Sequence, residues 1–274
     1  MPFLGVVVVV AVWWAATAAI GPNHFLARFA PVRVAAALTD LVLSVEIWRH
    51  LAASLRRVVS GLGVSFLLGF PLGLALGFSR HLARAAGPPF QFARMVSPLA
   101  WTPLAIIVFG VGDAPVYFLI VMGCTWPIVL NTVAGVHALD PRLVMMAKAL
   151  GGTRLEIART VLWPSIREHV LTGARLAIGL AWIILVPAEM LGVDSGIGYF
   201  ILDTRDRLAY GELGAALLIV GGCGFTIDSC ARWALRTRKP GSRRARAEAR
   251  RHAESAAERS TQAARGDLLG VREG

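Results

Sequence analysis

The sequence predicts an all-α, polytopic membrane protein with about six transmembrane helices. Of its 274 residues, 56% are hydrophobic and 16% are charged, and the mean hydropathy is +0.62. Apolar runs recur at lengths close to the roughly 20 residues a helix needs to cross about 30 Å of hydrocarbon. The charges collect between those runs and in a C-terminal tail. This composition excludes one or two soluble domains.

The first apolar run is Phe3 to Ile20. Ala16-Thr17-Ala18 has the small-residue character of a cleavage site, but no basic segment precedes the run, so it reads as a first span. Gly21 to Arg57 is mixed, with Pro22 and Pro31. Its end, Ile47 to Val58, is amphipathic and carries Trp48, Arg49, Arg56 and Arg57, residue types suited to an outer membrane surface. Residues 1–57 therefore read as one unit, a first transmembrane helix and an outer interfacial segment. A membrane core over 58–235 and a basic tail over 236–274 complete the organisation.

A second span is expected from about Val58 to Ser79. Gly69, Gly73 and Gly77 recur in it at every fourth residue, which lays a groove of small residues along one helix face where another helix can pack closely. Pro71 implies a kink. Arg80, His81 and Arg84 mark a cytoplasmic turn, and a third span is expected between Phe92 and Gly110. Gly112-Asp113-Ala114-Pro115 makes an outer turn, and a fourth span runs from about Val116 to Val136. A fifth follows from about Leu171 to Leu191, then a loop from Gly192 to Glu212 with a Gly-Ile-Gly-Tyr run. Leu213 to Trp233 is the sixth span. The tail beyond it is rich in Arg, Ala, Glu and Gly and predicts disorder or a surface helix.

Between the fourth and fifth spans lies a polar stretch, Asp140 to Pro164. Asp140 before Pro141 signals a helix start, and Gly151-Gly152 a stop after Leu150. Thr153-Arg154-Leu155-Glu156 has the spacing of a capping box, which starts a second short helix. Pro164 and Ser165 are expected to end it. Ala147, Ala149, Leu150, Leu155 and Ile157 are apolar in a segment bracketed by Arg142, Lys148, Arg154 and Arg159, so a partner must cover them outside the bilayer.

Twelve of the 28 basic residues lie from Arg232 onward. Positive charge beside a final span implies cytoplasmic retention and attraction to anionic membrane lipid rather than nucleic acid. With the polar stretch inside, the inner connections outweigh the outer ones in Arg and Lys, although Arg28, Arg33, Arg49, Arg56 and Arg57 make the first outer loop more basic than the rule prefers. Both termini are then cytoplasmic. Cys124, Cys223 and Cys230 lack metal-ligand or paired spacing, and no metal site is expected. The only lysines, Lys148 and Lys239, follow no phosphate-binding loop.

Ala147, Gly151 and Pro164 stand at the spacing of the EAA loop of ABC-importer permeases, which this stretch resembles. Met145 and Met146 replace the family's Glu and first Ala, Val161 its Ile, and Trp163 its Leu. Ala188 to Leu213, AEMLGVDSGIGYFILDTRDRLAYGEL, is similar to the end of the fifth span and the following loop in the nitrate, sulfonate, taurine and bicarbonate group. Trp48 to Gly77 resembles that group's approach to its transport core.

The resemblance covers roughly residues 1–237. It implies a type I ABC-importer permease fold and a plasma (inner) membrane location, with residues 136–170 as a cytoplasmic coupling loop in which Ala147, Gly151, Thr153, Glu156 and Pro164 matter. It implies a non-catalytic permease without a cofactor, pairing with a second permease subunit, a homodimer by expectation. ATP would be bound by separate ABC ATPase subunits, and substrate delivered by an extracytoplasmic binding protein. A small anion is the implied cargo.

Charged residues inside spans are rare and informative. Arg175 and Asp228 are a candidate structural pair across the fifth and sixth spans. Glu189 reads either as a pathway or gate residue or as a carboxylate snorkelling to the interface. The alternative function is a self-contained secondary transporter or channel, which predicts inverted repeats and broken paired helices; no convincing repeat is evident. A membrane enzyme needs converging His, Asp, Glu or Cys, and the histidines are scattered.

Overall fold

The computed structural model describes residues 2–19, 24 and 28–235. The tail 236–274 and most of 20–27 lie outside the described residues, and with them the expectations placed there. Every regular element among the described residues is helical.

Four helices are long and apolar enough to cross a membrane: α3, Val45–Phe78; α6, Asp113–His137; the run Arg154–Glu189; and α11, Tyr210–Ala234. A fifth crossing is available if the bent pair α4, Arg80–Met95, and Pro98–Phe109 counts as one. The first apolar helix, α1, spans Pro2–Ala19. Two peripheral helices, α2, Pro31–Leu43, and α10, Ile197–Asp206, complete this part of the fold.

The structure departs from the sequence reading at four connections. No boundary falls between residues 57 and 58, because α3 runs unbroken through both. Its amphipathic start is the first third of a spanning helix rather than a separate surface segment.

The third span is not straight. α4 and the following Pro98–Trp101 turn with α5, Thr102–Phe109, meet at 87°. Pro98 biases Ser97 away from helix, Ser97 takes extended geometry with ψ 132°, and the chain turns there.

Pro164 does not end a helix either. α8, Arg154–Ile157, passes through a π-helical turn, Ala158–Leu162, into α9, Trp163–Glu189. Proline offers no amide to the carbonyl four residues back, and a wide turn just before it absorbs that missing bond. Finally, the loop 192–212 contains α10, which begins within the Gly-Ile-Gly-Tyr run.

α6 is the central helix and packs most extensively on α3 and α9. The α3 contact follows the glycine stripe. A Cβ added to Gly69 would sit 3.1 Å from Ile128 Cβ, one on Gly73 would sit 2.6 Å from Thr132 Cβ and 2.9 Å from the Val129 carbonyl, and one on Gly77 would sit 2.7 Å from Val136 Cβ. The stripe extends beyond the three glycines, since Gly61 meets Ile120 in the same way and Ser65 between them is fully buried. Every fourth residue of α3 is thus small where α6 passes. Val34 of α2 packs in turn against Gly214 of α11.

Candidate functional site

Two constellations occupy opposite ends of α6 and α9. The first is the corner formed by α7, Pro141–Ala149, and α8. The Asp140 side chain accepts from the Arg142 amide at 2.9 Å and starts α7. Gly151 adopts φ +78°, the left-handed conformation that lets the chain leave the helix, with open space around its Cα. The Gly152 amide closes the turn on the Ala147 carbonyl at 3.0 Å. The capping box is formed in both directions: the Thr153 amide donates to Glu156 Oε2 at 2.8 Å, and the Glu156 amide donates to Thr153 Oγ1 at 3.3 Å.

On this corner Leu143, Met145, Met146, Leu150 and Leu155 are exposed, between 46% and 83%. Ala147 is half-buried under the turn, and Pro164 is exposed at the start of α9. The sequence-predicted residues therefore share one compact element, whose interior is satisfied and whose apolar exterior is bare.

The second constellation was only partly visible in the sequence. Glu189, at the C-terminal end of α9, is 0% exposed. That burial overturns the snorkelling alternative. Its carboxylate accepts from Arg57 Nη1 at 2.7 Å, from Ser54 Oγ at 2.8 Å and from the Gly198 amide at 2.9 Å.

Arg57, 1% exposed, is the hub. Its Nη2 and Nε donate to Asp113 Oδ1 at 2.6 and 2.9 Å, its Nη1 also donates to the Ser195 carbonyl at 2.7 Å, and its Nη2 to Ser195 Oγ at 2.9 Å. Arg56 adds an exposed contact to Asp113 at 2.9 Å. A guanidinium is buried at tolerable cost only where carboxylates and carbonyls surround it, and here they come from α6, α9 and the loop before α10.

The same cluster supplies the start of α10. Its first amides have no intrahelical acceptors. Gly196 donates to His50 Nδ1 at 3.0 Å, Ile197 to Ser54 Oγ at 2.9 Å, and Gly198 to Glu189. Side chains from α3 and α9 thus cap α10 across space, and the carboxylate also suits the positive end of the helix dipole. The Gly-Ile-Gly-Tyr run now has a physical reason. Gly196 has φ +110° and lies against the Glu189 carboxylate, while a Cβ on Gly198 would fall 2.2 Å from the Val186 carbonyl.

The Arg175–Asp228 pair is not formed. Arg175 Nη2 donates instead to the Leu235 carbonyl at 2.9 Å, fastening the end of α11, and Asp228 pairs with Arg232 one turn along its own helix. An i,i+4 partner needs no second helix in the right register, and that local pair wins. Sequence reading missed His50, Ser54, Arg57, Asp113 and Ser195. The available signal was the Arg56-Arg57 pair in a helical stretch continuous with an apolar span.

The model of the family "binding-protein-dependent transport system inner membrane component" matches residues 61–237. The bicarbonate transport system permease protein of Synechococcus elongatus is 32% identical over 188 residues, 68% of this chain and 67% of that one. The nitrate import permease protein of the same organism is 35% identical over 193 residues, 69% of each chain. Among solved structures, an inward-facing form of the MetNI methionine ABC transporter has the same fold, with a TM-score of 0.58 at 15% identity over 69% of this chain and 94% of that one. The chain belongs to the binding-protein-dependent transport system inner membrane components, and is a multi-pass transport permease.

Proposed function

We propose that this permease forms the membrane path of an ATP-driven importer for a small oxyanion, of the nitrate, bicarbonate, sulfonate or taurine kind. One observation carries the ATP-driven part: the α7–α8 corner is internally complete yet leaves five large apolar side chains uncovered on a segment rich in Arg and Lys. Such a surface is stable in water only when a partner covers it, and the partner this reading names is an ABC ATPase subunit.

In this reading a second copy of the permease completes the path, and a binding protein delivers the substrate at the end opposite the corner. The corner and both termini face the cytoplasm. ATP is bound and hydrolysed on the partner, so this chain needs neither a cofactor nor catalytic residues. Closure of the ATPases shifts the corner, and the permease moves between two conformations biased by ATP and by the loaded binding protein. The oxyanion class rests on the names of the relatives above.

Gly151→Val tests the coupling. A β-branched residue at φ +78° is strained by about 1–2 kcal/mol and deforms the corner. In proteoliposomes holding the whole transporter, ATP hydrolysis is expected to continue while uptake falls at least about fivefold, the size of shift that strain implies. Unchanged coupling in that variant, or uptake by this chain alone driven by an ion gradient, overturns the proposal.

A further inference from the structure

α3 has 34 residues and is about 51 Å long against about 30 Å of hydrocarbon, so it projects from the bilayer. His50 lies in its first two turns, about 10 Å nearer the helix start than Arg57, whose guanidinium bonds to Asp113 where α6 begins. The imidazole therefore stands beyond the start of α6, at the end opposite the α7–α8 corner. It is half-buried, with part of its surface open to solvent.

Among the described residues the imidazole makes one hydrogen bond, and it accepts it: the Gly196 amide donates to His50 Nδ1 at 3.0 Å. In a neutral imidazole one nitrogen carries the proton and the other accepts. With Nδ1 accepting, the proton is on Nε2, and the one lone pair left for a second proton is the pair that holds Gly196. An imidazolium accepts from neither nitrogen. Taking up a proton and holding the start of α10 thus exclude each other. Gly196 is buried, and the neighbouring acceptors are already engaged, Ser54 Oγ by Ile197 and the Glu189 carboxylate by Gly198, Ser54 and Arg57. The rings of Tyr199 and Phe200 lie 5.9 and 5.5 Å from the imidazole and keep it at this position. Carboxylates on the elements around it are Glu46 on α3, Asp40 on α2, Glu189 on α9, Asp194 before α10 and Asp203 on α10; the cations are Arg49, Arg56 and Arg57 on α3. Among the described residues none of these carboxylates bonds to His50. An imidazolium would face the positive end of the α10 dipole instead.

We propose that His50 is a pH-sensitive latch on α10: the neutral imidazole holds the first turn of the helix, and protonation at Nδ1 releases it. Ser195, the residue before Gly196, accepts from Arg57 through its carbonyl and its hydroxyl. Release of Gly196 therefore loosens the cluster that joins α3, α6 and α9. Histidine changes charge between about pH 5 and 8, so the latch is closed at the upper end of that range and open at the lower end. It works whichever solute the permease carries.

The test is amide hydrogen exchange of the full-length protein in lipid nanodiscs, read as protection factors so that the chemical pH dependence of exchange cancels. Between about pH 7.5 and about pH 5.5 the wild-type amides of Gly196 to Phe200 are expected to lose protection about fivefold, the size of one hydrogen bond, while those of α7 keep theirs. His50→Asn puts an uncharged acceptor oxygen close to the place of Nδ1 and should keep the high protection at both pH values. His50→Phe keeps a ring against Tyr199 and Phe200 but accepts nothing, and should show the low protection at both.

Equal wild-type protection at the two pH values overturns the proposal, and so does an equal loss in α7, which is a general effect of acid. A drop that persists in His50→Asn assigns the titration to one of the surrounding carboxylates and overturns it as well. Should one variant fail to fold, the other still decides, because a drop owed to His50 disappears in either.

Discussion

At one end of α6 and α9 the Arg57 cluster surrounds each buried charge with several partners, whereas at the other, about 38 Å away along α6, the α7–α8 corner leaves its apolar side chains uncovered. Both regions are rich in glycine, capping interactions and charge, and composition alone does not separate them. The difference lies in where the partners come from. The corner satisfies its backbone from within seventeen residues of its own sequence, Asp140 to Glu156, taken in two short helices. The cluster draws on residues 50–57, 113 and 189–198, so it exists only once three helices have assembled. A locally made element can move as a unit on a partner; a cluster made across helices fastens those helices to one another.

The largest expected effect breaks the fastening. Arg57→Met strands the buried Glu189 carboxylate and leaves half-buried Asp113 with Arg56 alone, and should cost about 4 kcal/mol. Thermal unfolding of the detergent-solubilised protein is the measurement, and a melting temperature equal to wild type would mean the cluster does not hold the bundle.

Glu189→Gln keeps the shape but removes the buried one of Arg57's two counter-charges, and is expected to destabilise by about 3 kcal/mol. Here the comparison sharpens: reduced uptake with an unchanged melting temperature would make Glu189 a gate rather than a fastening. Gly73→Val forces a branched side chain against Thr132 and the Val129 carbonyl. Overpacking of that kind costs about 2 kcal/mol, seen as a lower melting temperature with the α7–α8 corner untouched. Smallest is Thr153→Ala, which removes one half of the capping box for about 1 kcal/mol; its signature is faster amide exchange confined to residues 153–157, with the melting temperature nearly unchanged.

Sequence legibility follows the same division. The start of α7, the left-handed Gly151 and the reciprocal Thr153–Glu156 bonds were readable because each depends on residues at most a few positions apart. The glycine stripe was readable as a face, but not as a contact with Ile128, Thr132 and Val136, because periodicity names the groove and not what fills it. Arg57 looked like an interfacial arginine because its partners are 56 and 132 residues away. The 87° bend was hidden by apolar residues on both sides of Pro98, which read as one span to any hydropathy window. Arg175 and Asp228 were matched by depth and charge, and depth gives no register between helices.

The π turn before Pro164 has a mechanical consequence. It lets α8 and α9 join into one 36-residue rod from Arg154 to Glu189, so the helix that opens in the capping box closes on the Arg57 cluster. Such a rod is about 54 Å long, and a tilt of about 10° around its midpoint swings each tip through roughly 5 Å. That displacement exceeds the reach of a hydrogen bond. A push on the corner is therefore either resisted at Glu189 or felt there at once, which makes the ion cluster the far bearing of a lever whose handle is the exposed corner.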